Sequence, residues 1–314
     1  MADGAKLAGM VDTLIGELRP NAKSLIVTLF GDAILPHGGS IWLGSLAGLA
    51  APFGCNDRVV RTSVFRLSKE GWLTATQAGR RSCYCLTESG RRRFEAAHRI
   101  IYAGEPKPWS ETWTIVFTGL ADGSAREILR ADLAWQGFGQ LLPGVMLHPQ
   151  PDEASVRQAL AEAGLAGRAA VMQASGEGWM KAGALRDIAA RAWNLEVLAS
   201  VYSAFLANFR PFLPVIEARI LSPREAFRLR ILLIHVWRRA ILRDPLLPEE
   251  LLPAPWPGAS ARHLCRDLYR SIQAMAETHL AQTMLTAGGP IAQPNPDYFE
   301  RFGGLVSGKA MAHA

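Results

Sequence analysis

Residues 56–86 read NDRVVRTSVFRLSKEGWLTATQAGRRSCYCL, and the fold is decided by how this stretch divides. Asn56 is a helix-capping residue type, and Gly71 stops the helix that would run from it to Glu70. On a helical wheel with Val60 as reference, Ser63, Val64 and Leu67 fall within about 60° of it and form a core stripe. Arg58, Arg61, Thr62, Phe65, Arg66 and Lys69 fall on the opposite arc. Two β-rich runs follow, Trp72–Thr76 and Ser82–Leu86, on either side of the turn sequence Gln77-Ala78-Gly79-Arg80. Working upstream, Gly38-Gly39 breaks the chain, Ser40 is placed to cap a second helix through Leu49, and Pro20–Gly31 begins a first. Downstream, Thr87 caps a helix over Glu88–Tyr102. Helix, helix–turn–helix, hairpin and helix, in that order, predict a winged helix-turn-helix over residues 20–103.

Charge is concentrated in the same place. Of 34 Lys plus Arg and 28 Asp plus Glu in the chain, residues 56–99 hold ten and four, leaving 24 of each elsewhere. The whole net charge of +6 therefore sits on one module, as a polyanion binder requires. Recognition helices approach base edges with their N-terminal turns, so Asn56, Arg58, Arg61 and Thr62 are the candidate base readers. Arg66 and Lys69 are placed for phosphates. Arg80 and Arg81, in the wing, would reach the backbone or the flanking minor groove. The plainer reading of any one of these arginines is a solvated amphipathic helix; turn, helix and wing together favour a duplex DNA partner.

The middle of the chain alternates strand and helix. Thr112–Thr118, a helix through Ile128, Leu129, Leu133 and Trp135, the pair Gly137–Leu142 and Val145–His148, a helix over Val156–Ala163 and a strand over Ala169–Gln173 predict a ferredoxin-like βαββαβ domain. Beyond Ala182 only helices are expected: one over Ala184–Phe209, one opened by the capping box Ser222-Pro223-Arg224-Glu225 and running to Arg243, and one over Ala259–Ala287. The fold class is α+β, with a central ferredoxin-like domain and a C-terminal all-α domain. The expected division is a flexible arm over 1–19, a DNA-binding domain over 20–103, a ferredoxin-like domain over 109–178, a helical effector and dimerisation domain over 182–287, and a flexible tail over 288–314.

Four cysteines, Cys55, Cys83, Cys85 and Cys265, form neither a disulfide framework nor zinc-ligand spacing, which points to reduced thiols in a cytoplasmic protein with no metal and no cofactor. The most apolar run, Ile231–Trp237, is too short to cross a membrane. An enzyme is not expected: there is no P-loop, nucleophile elbow or His-x-x-x-His pair. A Cas2-like metal-dependent nuclease would need an aspartate ending the first middle strand, where Thr118-Gly119-Leu120 stands with Asp122 only later in the loop. An RNA-binding adaptor would need aromatic stacking motifs that the basic module lacks.

Several motifs resemble one family in particular. Val60-Arg61-Thr62, Arg66-Leu67, Glu70-Gly71-Trp72-Leu73, Gly79-Arg80-Arg81-Ser82-Cys83-Tyr84 and Leu86-Thr87 are similar to the winged helix of the PaaX family, repressors of phenylacetic acid catabolism. The resemblance continues in Leu29-Phe30-Gly31-Asp32, Gly137-Phe138-Gly139 with Pro143-Gly144, Leu242-Arg243-Asp244-Pro245 with Leu247-Pro248, and Trp256-Pro257-Gly258. It implies a dimeric repressor released from its operator by an aryl-CoA thioester such as phenylacetyl-CoA. Such an effector needs cations beside an apolar slot. On the helix Pro223–Arg243, Arg228, Ile231, His235, Arg238 and Arg239 share one side by three- and four-residue spacing, so Arg228, His235, Arg238 and Arg239 are the candidate effector residues, with His235 and an arginine expected to face the middle domain. The alternative is a core histidine among structural arginines. A homodimer on a near-palindromic site is expected, held by the helices after Ala184.

Overall fold

The computed structural model describes residues 2–79, 81–104, 108–120, 123–175, 182–218, 221–286 and 288–305. It is a mixed helix and sheet fold of two units. One comprises Met1–Glu105, Ala204–Leu242 and Ser260–Ala314, the other Pro106–Ser203 and Arg243–Ala259.

In the first unit α1 (Ala2–Leu18) and α2 (Ala22–Leu29) precede β1 (Ser40–Trp42), α3 (Leu43–Ala50), α4 (Asp57–Lys69), the hairpin β2 (Leu73–Ala78) and β3 (Arg81–Leu86), and α5 (Glu88–Ile101). The three strands form an antiparallel sheet in the order β1-β3-β2. Ser40 thus starts a strand and caps no helix. Gly38 and Gly39, at φ 96° and 75°, take left-handed conformations that turn the chain so that Ser40–Trp42 pairs with Cys85–Cys83. The residues 1–19 read as a flexible arm are also corrected. Leu7, Val11 and Leu14, at helical spacing, are buried, α1 packs on a later helix, and Asp12 pairs with Arg228.

In the second unit β4 (Thr112–Phe117), α6 (Gly123–Trp135), β5 (Gly139–Leu142), β6 (Val145–His148), α7 (Glu153–Glu162) and β7 (Ala170–Ser175) follow in sequence. The sheet is antiparallel, in the order β5-β6-β4-β7. Alternation along β4 gives the sheet two apolar faces. Val116, with Met146, packs against Leu129, Leu133 and Val156 of α6 and α7. Trp113, with Leu147, packs against Ala189, Leu247 and Leu251.

The single helix expected over Ala184–Phe209 is two, α8 (Ala182–Ala192) and α9 (Leu195–Phe209). Trp193 at the break donates from its indole to the Gly137 carbonyl, 2.8 Å, and lies so close to Gly139 that any Cβ there would meet the ring at 2.5 Å. The Ser222 half of the capping box is formed, its hydroxyl accepting from the Glu225 amide at 3.2 Å, while the Glu225 carboxylate accepts from Arg228. After α10 (Leu213–Glu217) comes α11 (Pro223–Ile241), then α12 (Pro257–Thr283), a short hairpin β8 (Leu285–Thr286) and β9 (Gly289–Pro290), and α13 (Pro296–Phe299). The tail expected to be flexible from 288 is packed as far as it is described, with Tyr298, Arg301 and Phe302 buried. All four cysteines are free.

Candidate nucleic-acid interface

α4 is oriented by its buried stripe. Val60, Ser63, Val64 and Leu67 point inward, and Arg58, Arg61, Thr62, Phe65, Arg66 and Lys69 are exposed, as the wheel predicts. Asn56 caps the helix with its side-chain oxygen on the Val59 amide at 3.0 Å, so that oxygen is committed to the backbone and Asn56 keeps only its amide NH2 for a partner. The Thr62 hydroxyl donates to the Arg58 carbonyl at 2.9 Å. Lys69 stands 5.5 Å above the ring of Phe65, which is 61% exposed. The acid at the end of the helix, Glu70, is paired with Lys23. Among the described residues Arg58, Arg61 and Arg66 have no ion pair, so their charges face outward uncompensated.

The hairpin expected to be the wing is β2 and β3, paired from Leu73–Leu86 out to Ala78–Arg81. Arg81 is exposed at the mouth of the turn, beside Gly79 at φ 61°; Arg80 lies outside the described residues. Arg61 and Arg81 line one groove of about 450 Å³ together with Trp42, Leu43, Ser45 and Ser82. The helix α4 and the β2–β3 hairpin thus share a single surface depression. The start of α3 belongs to it as well, which local pattern does not show because Ser40–Trp42 fits a helix start as well as a strand. The Gly38-Gly39 pair was the available signal.

The candidate effector residues are placed differently. On α11, Arg228 is buried and its guanidinium bonds Glu225 at 2.9 Å and Asp12. His235, 1% exposed, meets the Thr28 hydroxyl through Nδ1 at 3.0 Å. Burial, with the charges of Arg238 and Arg239, pushes its pKa down to about 3, so it is neutral. Arg238 donates to Thr28 at 2.8 Å and to the Ser24 carbonyl and hydroxyl at 2.7 Å. His235 and Arg238 are therefore turned onto α2 of their own unit. Arg239 is exposed. A cavity of about 90 Å³ lies nearby, lined among others by Thr28, Phe94, His98, Tyr102, Ile234 and Arg238.

Asp32 and Tyr102, in the wall of that cavity, belong to a buried ionic cluster, of which the quoted motifs held only Asp32. Asp32 accepts from Arg230 Nε at 2.7 Å, Arg301 Nη1 at 3.1 Å, the Tyr102 hydroxyl at 2.7 Å and the Tyr269 hydroxyl at 3.0 Å. Arg230 also bonds Glu277 at 2.6 Å. Burial alone would raise the Glu277 pKa, but Arg230 and His37 outweigh it and hold the carboxyl at about 2.

An exposed cationic helix and a basic hairpin on a mixed helix and sheet body define a polyanion-facing protein of the α+β class. The chain belongs to the PaaX-like family. Family models match over most of its length: "PaaX-like protein" at residues 21–90, "PaaX protein central Cas2-like domain" at 106–185 and "PaaX-like protein C-terminal domain" at 193–282. It is 39% identical over 303 residues, 96% of both chains, to the transcriptional repressor PaaX of Escherichia coli strain K12. It also shares its fold, at a TM-score of 0.53 and 24% identity, with the uncharacterized protein Rv0674 from Mycobacterium tuberculosis, covering 82% of this chain and 96% of that one.

Proposed function

We propose that this protein is a DNA-binding transcriptional repressor, with residues 20–103 as a winged helix-turn-helix, α4 as its recognition helix and β2–β3 as its wing. One observation carries the reading: Arg61 from α4 and Arg81 from the wing, neither ion-paired among the described residues, line the same groove. The repressor name of the Escherichia coli relative supports it. Asn56, Arg58, Arg61 and Thr62 read bases, and Arg66, Lys69, Arg80 and Arg81 hold phosphates. The ββ-rich second unit is read as a ferredoxin-like domain without catalytic function, and the working form as a cytoplasmic homodimer on a near-palindromic operator. Release by an aryl-CoA thioester such as phenylacetyl-CoA, in control of an aromatic-acid catabolic operon, follows from the family resemblance. Of the four candidate effector residues, exposed Arg239 is free to meet a CoA phosphate, whereas Arg228, His235 and Arg238 would act through the contacts they make with α1 and α2.

The test is titration of the full chain with fluorescent duplex DNA across a salt series. Each phosphate contact contributes about 0.9 to the slope of log affinity against log salt. Lys69→Ala and Arg81→Ala are expected to lower that slope by about one each and to weaken all sequences alike. A slope near zero, or preference for single-stranded RNA of the same length, would reject the reading.

A further inference from the structure

The groove lined by Arg61 and Arg81 has a third wall, built 200 residues further along the chain. Thr283 at the end of α12 and Leu285 on β8 complete its lining. These residues are fixed there. The Ser45 hydroxyl donates to the Thr283 carbonyl at 3.2 Å and accepts from the Leu285 amide at 2.9 Å. β8 lies beside β1, one of the two edge strands of the three-stranded sheet. Past β9 the chain is tied again, by His37 Nδ1 to the Ala292 carbonyl at 2.7 Å and by the Asn295 amide to the Pro36 carbonyl at 2.9 Å. Leu285 is nevertheless 50% exposed, while its neighbour Met284 is buried. From Leu280 to Pro296 the chain has no Asp or Glu.

Two guanidinium groups lining one groove repel each other unless an anion screens them. The apolar flank of Trp42, Leu43 and Leu285 suits a sugar more than a free inorganic ion, and the acid-free hairpin offers a polyanion no repulsion. We infer that the β8–β9 hairpin is a third DNA-contacting element, which together with Arg61 and Arg81 encloses one sugar–phosphate strand of the duplex. The arginines meet phosphates or base edges, and Leu285 lies against deoxyribose. This rests on the DNA-binding reading of α4.

The experiment compares full-length wild type, Leu285→Glu, Leu285→Lys and, as a phosphate contact on α4, Lys69→Ala on a random-sequence duplex about two helical turns long, over a salt series, with melting curves alongside. Leu285→Glu is expected to weaken binding several-fold and to flatten the salt slope. Leu285→Lys is expected to tighten binding and to steepen the slope by about one, which no folding defect could produce. Melting temperatures should match wild type, since the side chain is half exposed. If Lys69→Ala weakens binding while both Leu285 variants behave as wild type, the hairpin lies off the DNA and this inference fails alone. If Lys69→Ala also has no effect, the reading of α4 fails with it. Weakening by Glu and Lys alike, with lowered melting temperatures, would report lost packing and overturn the assignment.

Discussion

Arg61 leaves α4 one turn past the Asn56 cap, between a buried valine and an exposed threonine. Its backbone position is set by Val60 and Val64, both fully buried, so its reach is fixed by core packing. A guanidinium can bond one guanine through two donors at once, and an ammonium cannot. Arg61→Ala is therefore expected to cost about 1–3 kcal/mol of specific binding and to relax preference at one base pair. Arg61→Lys should restore the charge and little of the selectivity. Neither should move the melting temperature. A base-substitution scan of the half-site with both variants checks this, and equal losses on specific and random DNA would make Arg61 a phosphate contact. This face was legible in the sequence because a helical stripe is a local pattern. What local pattern could not show was the commitment of the Asn56 oxygen to its own helix, since a capping residue and a base reader look the same on paper.

At the scale of elements, legibility follows sequence distance. α4, β2, β3, α5 and the strands of the second unit came from periodicity, caps and turn residues that act within a few positions. β1 did not, because Ser40 fits a helix cap as well as a strand start, and its pairing with β3 lies forty residues away. The two ends of the chain were misread for the same reason at longer range. Arg301 looks like a surface residue in a polar tail, yet it is 1% exposed and bonded to Asp32, Tyr269 and the Gly31 carbonyl, over 30 to 270 positions. Asp32 accepts from both Arg230 and Arg301, and removing a buried partner leaves uncompensated charge, at a cost of about 3–5 kcal/mol. Asp32→Asn is expected to destabilise by that amount in denaturant unfolding. A truncation after Gln293, which removes Arg301 and leaves Asp32, should lose a comparable amount. Loss of less than about 1 kcal/mol in both would mean that the cluster does not hold the tail.

Across the whole molecule, buried neutral histidines link stability to pH. Burial lowers His98 and His148 to about 4, with the Arg301 charge adding to the effect at His98, and His235 lies at about 3. The first and last belong to one unit and His148 to the other, so both units are affected. Each group in the unfolded chain titrates near 6.5. Between that value and its folded pKa the unfolded state binds more protons, so acid favours unfolding. Stability is therefore level above about pH 6.5 and falls as pH drops toward 4, by up to roughly 3–4 kcal/mol for a histidine lowered to about 4, at about 1.4 kcal/mol per pKa unit, with His235 continuing to lose below that. Glu277 extends the loss below pH 4.5, because its carboxylate form is the one held by Arg230. Melting temperature is expected to be level from pH 8 to 7 and to fall progressively from 6.5 to 4.5. His235→Gln, which keeps a hydrogen-bonding group for Thr28 and cannot take up a proton, should remove its own share of that fall and leave the shares of His98 and His148. DNA affinity should not follow the same curve, since none of the three histidines lies on α4 or the wing. Scanning calorimetry of wild type and His235→Gln over this range decides the matter, and a melting temperature unchanged between pH 7 and 5 would show that the histidines titrate alike in the folded and unfolded states.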